Sequence, residues 1–253
     1  GLAVVAEQNG LRFVAAGDAD EAALSKLGAR IPTAYAPTIT NQIPADATGF
    51  LAFRDLGPTL LAALDVATAQ SPELAKQIVT IEKLTGISVR AGLVPALTGE
   101  HALVALGGDT PSGALLLAPQ DPAAAASTLT KALTSAKQLG AGRAEESATK
   151  SAVDVTKLAV TVQPGGSIVA VGTAPQLAAA PTASITSSAA YQAITSQAGL
   201  PANVTGLAYV NAAQLQAMAV AKGAKAVPAI GAINGVVAWG TPGAATLFIS
   251  IGE

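Results

Sequence analysis

The residues of this chain with the clearest chemical potential are Glu100 and His101, which are adjacent, and Asp109 a little further on. His101 is the single histidine of the sequence. An imidazole titrates near neutral pH and can serve as a general base or a metal ligand, so a hydrolase using Glu100 and His101, with Asp109, is one interpretation. The other is that His101 is a polar residue at the start of a strand, because no second ligand lies beside it.

The remaining candidates for chemistry are weaker. Asp18, Asp20 and Glu21 are close together, but their spacing lacks the further oxygen ligands of a calcium loop. No glycine pair matches a phosphate-binding loop, no serine lies in a G-x-S-x-G elbow, and the absence of cysteine excludes thiolate zinc sites and a cysteine nucleophile. We therefore predict no catalytic, cofactor-binding or metal-binding residue, and we lean towards a protein that is not an enzyme.

Composition narrows the class of partner. The net charge is −2 and no basic block is present, which argues against nucleic acid, since phosphate binding needs clustered Lys and Arg. No apolar run approaches the roughly 20 residues of a membrane span. The chain starts at Gly1 inside a predicted strand, which leads us to expect a signal peptide or an anchor upstream and an extracytoplasmic location.

The elements that must position any site begin with recognisable signals. Leu2 to Ala16 reads as two strands around an Asn-Gly turn, a strong hairpin pattern. Four oxygen-bearing residues follow apolar strands and precede helical patterns, where a side-chain oxygen can accept a free backbone N–H. The predicted helix N-caps are Asp18, Asp55, Asp121 and Thr173.

An internal similarity organises the chain. The segment from Ile43 to Leu64 returns, weakened, from Leu200 to Met218, and the shared Thr-Gly pairs at Thr48 and Thr205 give an offset of 205 − 48 = 157 residues. So long a period suggests duplication of one structural unit. We predict a complete α+β unit over 43–199. A second, incomplete unit is predicted from 200–253 plus 1–42, closed by the N-terminal hairpin.

The order of elements predicts the fold class. The complete unit reads β-α-β-β-α-β, as in ferredoxin-like plaits, which predicts α+β units with mostly antiparallel sheets and helices on one face. Each chain end alone would leave unpaired strand edges. We therefore expect Leu2 to Ala16 to join the same sheet as Thr205 to Val210 and Ala245 to Ile251.

One passage resembles a known family. The stretch from Leu84 to Glu100 reads LTGISVRAGLVPALTGE, preceded by IPADATGFLAFRDL. It is similar to bacterial extracytoplasmic proteins known only as a domain of unknown function, with a Pro-Ala-Asp turn, Thr-Gly-Ile and Leu-x-Pro-x-Leu-x-Gly-Glu. The resemblance implies a secreted or membrane-anchored protein of the cell envelope and no known activity.

Three functions follow as expectations. The first is a non-catalytic binding or scaffold module of the cell envelope, with a protein or an apolar ligand as partner and no cofactor. The second is the hydrolase using Glu100 and His101. The third is a carrier of lipid-like molecules, because an α+β shell poor in aromatic residues can enclose a groove.

Overall fold

The computed structural model describes residues 1–18, 20–26, 31–141, 155–225 and 231–252. Over these residues the chain is an α+β protein built on one antiparallel sheet, whose strands occur in the order β1-β2-β10-β9-β8-β3-β4-β5-β7-β6. The strands are β1 Leu2–Glu7, β2 Gly10–Ala16, β3 Ala47–Arg54, β4 Glu100–Leu106, β5 Ser112–Ala118, β6 Ala159–Val162, β7 Val169–Gly172, β8 Gly206–Val210, β9 Ile233–Thr241 and β10 Ala244–Ile251.

Helices of very different lengths connect these strands. The α-helices are α1 Glu21–Lys26, α2 Leu56–Gln70, α3 Pro72–Thr85, α4 Val94–Ala96, α5 Pro122–Ala141, α6 Ala189–Ala198 and α7 Ala212–Ala221. A π-helical turn at Val89–Leu93 leads into α4. Four 3-10 turns complete the described elements: Thr38–Gln42, Val155–Lys157, Pro175–Ala178 and Ile185–Ser187.

The strand order is symmetric about the centre of the sheet. There β3 pairs antiparallel with β8. On one side follow β4, β5, β7 and β6; on the other follow β9, β10, β2 and β1. The N-terminal hairpin therefore lies in the same sheet as β8 and β10, as the sequence leads us to expect, with Phe13 of β2 opposite Leu247 of β10. One continuous sheet crosses the whole molecule.

Strand alternation creates two separate cores. Successive side chains of a strand point to opposite faces. Leu116 belongs to the larger core, formed with α6 and the 3-10 turns, whereas Leu117 belongs to a smaller core with Ala96 of α4 and Ala125 of α5. We call the face of Leu116 the inner face and the face of Leu117 the outer face. The expectation of helices on one face is wrong, because helical segments pack on both.

The capping predictions are confirmed at one of the four positions. Asp121 Oδ1 accepts the Ala124 N–H at 2.9 Å. Two further caps follow the same logic, because Ser71 Oγ accepts from Leu74 N at 3.3 Å and Asn211 Oδ1 from Gln214 N at 3.0 Å. Each satisfies a backbone donor that the first helical turn leaves free.

At the other three positions the prediction is wrong. Asp55 precedes α2 with φ 58° and ψ 42°, and its side chain makes no capping bond. Thr173 Oγ1 instead bonds the backbone of Gly113, accepting its N–H at 3.2 Å and donating to its carbonyl at 3.3 Å. Near α1 the cap is Asp20, whose Oδ1 accepts the Ala23 N–H at 3.0 Å, two residues later than the predicted Asp18.

Within the described part of the chain, no helix combines the length and apolarity needed to cross a bilayer.

Candidate functional site: an apolar trough across the sheet

Glu100 begins β4 and holds a neighbouring turn. One carboxylate oxygen accepts the Thr38 hydroxyl at 2.9 Å, and the other accepts the Ile39 N–H at 2.8 Å. Both donors belong to the 3-10 turn Thr38–Gln42, which lies against β4. The carboxylate is therefore engaged in attaching this turn to the sheet.

His101 is fully buried on the outer face. Its Nε2 lies 2.9 Å from the carbonyl oxygen of Leu97, and the ring centroid lies 5.4 Å from that of Phe53. Since a carbonyl only accepts, Nε2 carries the proton, and the buried Nδ1 has no hydrogen-bond partner among the described residues. Burial lowers the pKa of His101, against smaller opposing effects from the Leu97 carbonyl and the Asp55 and Glu100 carboxylates. The ring is neutral at pH 7.

The fold does not assemble a catalytic group from Glu100, His101 and Asp109. Glu100 and His101 are successive residues of one strand, so their side chains leave the sheet on opposite faces. Asp109 lies in the turn after β4, where its backbone carbonyl accepts Lys222 Nζ at 3.0 Å. In the described ranges, no group of three or more His, Asp or Glu side chains is placed to hold a metal ion.

The most extensive unexplained feature is a row of apolar residues that crosses every strand of the sheet on its outer face. Directly paired residues of antiparallel strands point to the same side. Following the pairings from edge to edge gives one unbroken series, without a polar or charged member. The apolar row is Val4, Phe13, Leu247, Ala238, Ala208, Leu51, Leu103, Leu115, Val171 and Val160.

At the centre of the sheet the apolar row is open. Leu51 of β3 and Leu103 of β4 are opposite each other and are 46% and 54% exposed. The neighbouring pair on the inner face, Phe50 and Val104, is only 5% and 1% exposed. The same two strands thus have a closed core on one face and exposed leucines on the other.

Helices flank this opening without closing it. On one side α4 and α5 cover Leu117 and Val169. Leu115, Val171 and Val160 of the apolar row pack against the same cluster, so this end of the row is partly buried. Helix α7 packs on β9 and β3 and reaches the end of β4, where a Cβ at Gly107 would lie 2.5 Å from Met218 Sδ. The α7 end is fixed by Lys222 Nζ, which donates to the Gly108 carbonyl at 2.9 Å.

Two cavities extend from the central leucines in opposite directions. The first lobe has a volume of about 410 Å³ over β1, β2, β10, β9, β8 and β3, with Leu2, Phe13, Leu247 and Leu51 in its lining. The second lobe has a volume of about 440 Å³ over β4, β5 and β7 and ends at Leu158, just before β6; Leu103, Leu115 and Val171 are in its lining. The apolar row with its two lobes is named here the trough.

Electrostatically the trough is nearly featureless. No charged residue lines the first lobe. The second lobe has one, Lys157, at its β6 end. Such a surface has little with which to orient a charged substrate. A hydrocarbon bound to it gains roughly 25 cal/mol of free energy for each Å² of apolar surface removed from water.

Reasoning from sequence missed the trough because its members are scattered between positions 4 and 247. Each strand shows only the nearly continuous apolar run that is typical of a sheet covered on both faces. The available signal was the size of Leu51, Leu103 and Leu115, which lie on the same face of neighbouring strands, but no local sequence pattern tells which face of a sheet the helices leave uncovered.

Comparisons with protein-family models, with curated proteins and with solved structures find no match to this chain. The resemblance to extracytoplasmic proteins of unknown function therefore stays a prediction.

Proposed function

We propose that this protein is a non-catalytic binding module and that the trough is its binding surface. The observation that carries the proposal is the apolar row, which runs uninterrupted over the sheet and leaves Leu51 and Leu103 about half exposed. Exposed apolar area that is continuous across several strands is typical of interaction sites, whereas single exposed leucines are not informative.

The hydrolase hypothesis has less support in the geometry. Glu100 is bonded to Thr38 and Ile39, and His101 contacts Leu97 and Phe53 beneath α4. Neither residue lines the trough lobes. A general base needs to reach the proton that it removes, and a fully buried imidazole on the face opposite its carboxylate lacks that access.

The proposal is tested with an apolar fluorescent probe and two matched variants. Leu51→Glu places a charge in the centre of the trough. Val5→Glu places the same charge on β1, on the inner side, at a residue with nearly equal exposure, 47% against 46%. We expect Nile red to bind the unmodified protein and Val5→Glu alike and to lose at least tenfold in affinity for Leu51→Glu.

Circular dichroism confirms that both variants are folded before binding is compared. Equal Nile red affinity in the two glutamate variants would place the probe outside the trough and contradict the proposal.

We further propose that the two halves of the sheet arose by duplication of one unit, the complete copy in 43–199 and the other in 200–253 plus 1–42. The symmetric strand order about the β3–β8 pair supports this. A ferredoxin-like plait is not part of the proposal, because it needs a split βαβ unit and β3 and β4 are hydrogen-bonded antiparallel neighbours. The test is a comparison of homologous chains from other organisms: the two copies should align with each other across the set, and copies that align no better than shuffled sequences would contradict the duplication.

An extracytoplasmic location in the cell envelope remains our proposal for where the module works. It is supported by the resemblance of the segment from Leu84 to Glu100 to extracytoplasmic proteins. Fractionation of cells expressing the natural protein tests it, and recovery from the cytosol would contradict it.

A further inference from the structure

We propose that the trough holds a lipid with two hydrocarbon chains, one chain in each lobe. This inference rests on the proposed binding function and specifies its ligand. It uses three properties of the trough: a lining whose single charged residue is Lys157, its length and its division into two lobes of similar volume.

The chemistry of the lining favours hydrocarbon over a peptide. A docked peptide brings backbone N–H and C=O groups, and these need hydrogen-bond partners when they are buried. The apolar row supplies only aliphatic side chains and one phenylalanine, and the first lobe has no charged residue to pair with a partner's charges. An alkyl chain needs neither and gains from the removal of every methylene from water.

The length of the trough matches two chains better than one. Neighbouring strands are about 4.8 Å apart, so the first lobe, lined from β1 to β3, covers five spacings or roughly 24 Å. The second lobe, lined from β4 to β7 and on to Leu158 just before β6, covers at most three spacings or roughly 14 Å. One acyl chain spans about half of a hydrocarbon core of roughly 30 Å, or about 15 Å. Each lobe thus accommodates one chain, and a single chain would leave the other lobe exposed.

The division between the lobes indicates where the two chains are joined. The lobes have volumes of about 410 and 440 Å³ and meet at Leu51 and Leu103. These leucines are about half exposed, so a polar group that links two chains reaches water above them. The chains then lie along the apolar row in opposite directions.

A second copy of the protein is a less suitable occupant. Two sheets pack face to face at about 10 Å, and a helix with its side chains is itself about 10 Å thick. Because α4 and α5 stand on the outer face beside the trough, they hold a second sheet away from Leu51 and Leu103.

The test counts bound chains by native mass spectrometry, with palmitate and dipalmitoyl phosphatidylglycerol as probes. Ala245→Trp fills the first lobe at an exposed alanine, and Leu115→Trp fills the second. Val5→Trp on the inner side of β1 is the matched control. We expect two palmitates or one phospholipid per molecule of unmodified protein and of the control.

Each lobe variant should bind one palmitate and lose at least tenfold in affinity for the phospholipid, whichever lobe is filled. Binding of one palmitate that only one of the two variants removes would overturn the inference in favour of a single-chain ligand. A dimer that Leu51→Glu dissociates would overturn it in favour of a second copy.

The result also separates this inference from the proposed function. If Nile red binds in the trough but neither palmitate nor phospholipid does, the ligand class is wrong and the binding module stands. If no probe binds, both are wrong.

Discussion

At the scale of single residues, burial controls the one group that titrates near neutral pH. His101 has no exposed surface, and burial lowers its pKa, so the folded protein resists its protonation. The unfolded chain takes up that proton near pH 6.5. Above about pH 6.5 the titration of His101 does not lower the free energy of unfolding. Below that pH the free energy of unfolding falls, because the unfolded state then binds more protons than the folded state.

The corresponding prediction compares the unmodified protein with His101→Gln. Between pH 7.5 and 5.5 the free energy of unfolding should fall by up to about 1.4 kcal/mol through this group, the limit set by protonation of the unfolded state. The variant should lack this loss, since no other histidine is present. Urea unfolding at both pH values measures it, and an identical pH dependence in the two proteins would refute the explanation.

Glu100 illustrates a carboxylate with a structural role. Replacing it with alanine leaves the Thr38 hydroxyl and the Ile39 N–H without their acceptor, and we expect a loss of about 1.5–3 kcal/mol in the free energy of unfolding. A double-mutant cycle with Thr38→Val should give a coupling energy of at least about 0.5 kcal/mol. A coupling energy near zero would mean that the Thr38 contact does not contribute in solution.

At the scale of elements, two equivalent helix starts differ in backbone conformation. Asp55 before α2 has φ 58°, in the left-handed region that favours glycine, and makes no capping bond. Asn211 before α7 has φ −84° and caps through Gln214 N. Both residues follow a strand and precede a helix, but the turn into α2 is constrained by the end of α4, because Gly57 N donates to the Leu97 carbonyl at 2.6 Å.

Glycine at these two positions should therefore have opposite effects. Asp55→Gly should be neutral or stabilise by up to about 1 kcal/mol, because it relieves the left-handed strain. Asn211→Ala, which deletes the cap, should destabilise by about 1 kcal/mol, and Asn211→Gly by less. Thermal unfolding of the three variants against the unmodified protein is the measurement. A loss of stability in Asp55→Gly would show that its carboxylate makes a contact worth more than the strain.

At the scale of the whole molecule, the continuous sheet makes both halves one folding unit. β2 of the N-terminal hairpin pairs with β10, and Arg12 ties the hairpin to α6 by donating to the Ala198 carbonyl at 2.9 Å. The guanidinium of Arg12 also lies 5.8 Å from the Trp239 ring centroid. Loss of the hairpin would expose the β10 edge and the inner core beneath it.

Cooperativity can be measured because Trp239 is the single tryptophan and lies in the half built from both chain ends. We expect its fluorescence and the far-UV circular dichroism to report the same urea midpoint. Gly10→Ala should lower both midpoints together, because its Cβ would lie 2.3 Å from the Ile249 carbonyl oxygen. Fluorescence that changes at lower urea than circular dichroism would show that the two halves unfold separately.

The sequence by itself determined what depends on neighbours along the chain. The Asn-Gly turn, the alternating strands and the Asp121 cap follow from local backbone preferences and side-chain spacing, and so does the helix that starts at Pro122. The strands at the two chain ends also predicted that the N-terminal hairpin lies in the sheet with β8 and β10, since either end alone would leave unpaired strand edges.

Tertiary structure decided everything that depends on which surface is covered. His101 and Glu100 look like a pair in sequence, but alternation sends them to opposite faces, where α4 buries one and the Thr38–Gln42 turn binds the other. The trough exists only because ten strands align in register and the helices on the outer face leave Leu51 and Leu103 uncovered. Register and coverage are set by packing between distant segments, and no stretch of the chain contains that information alone.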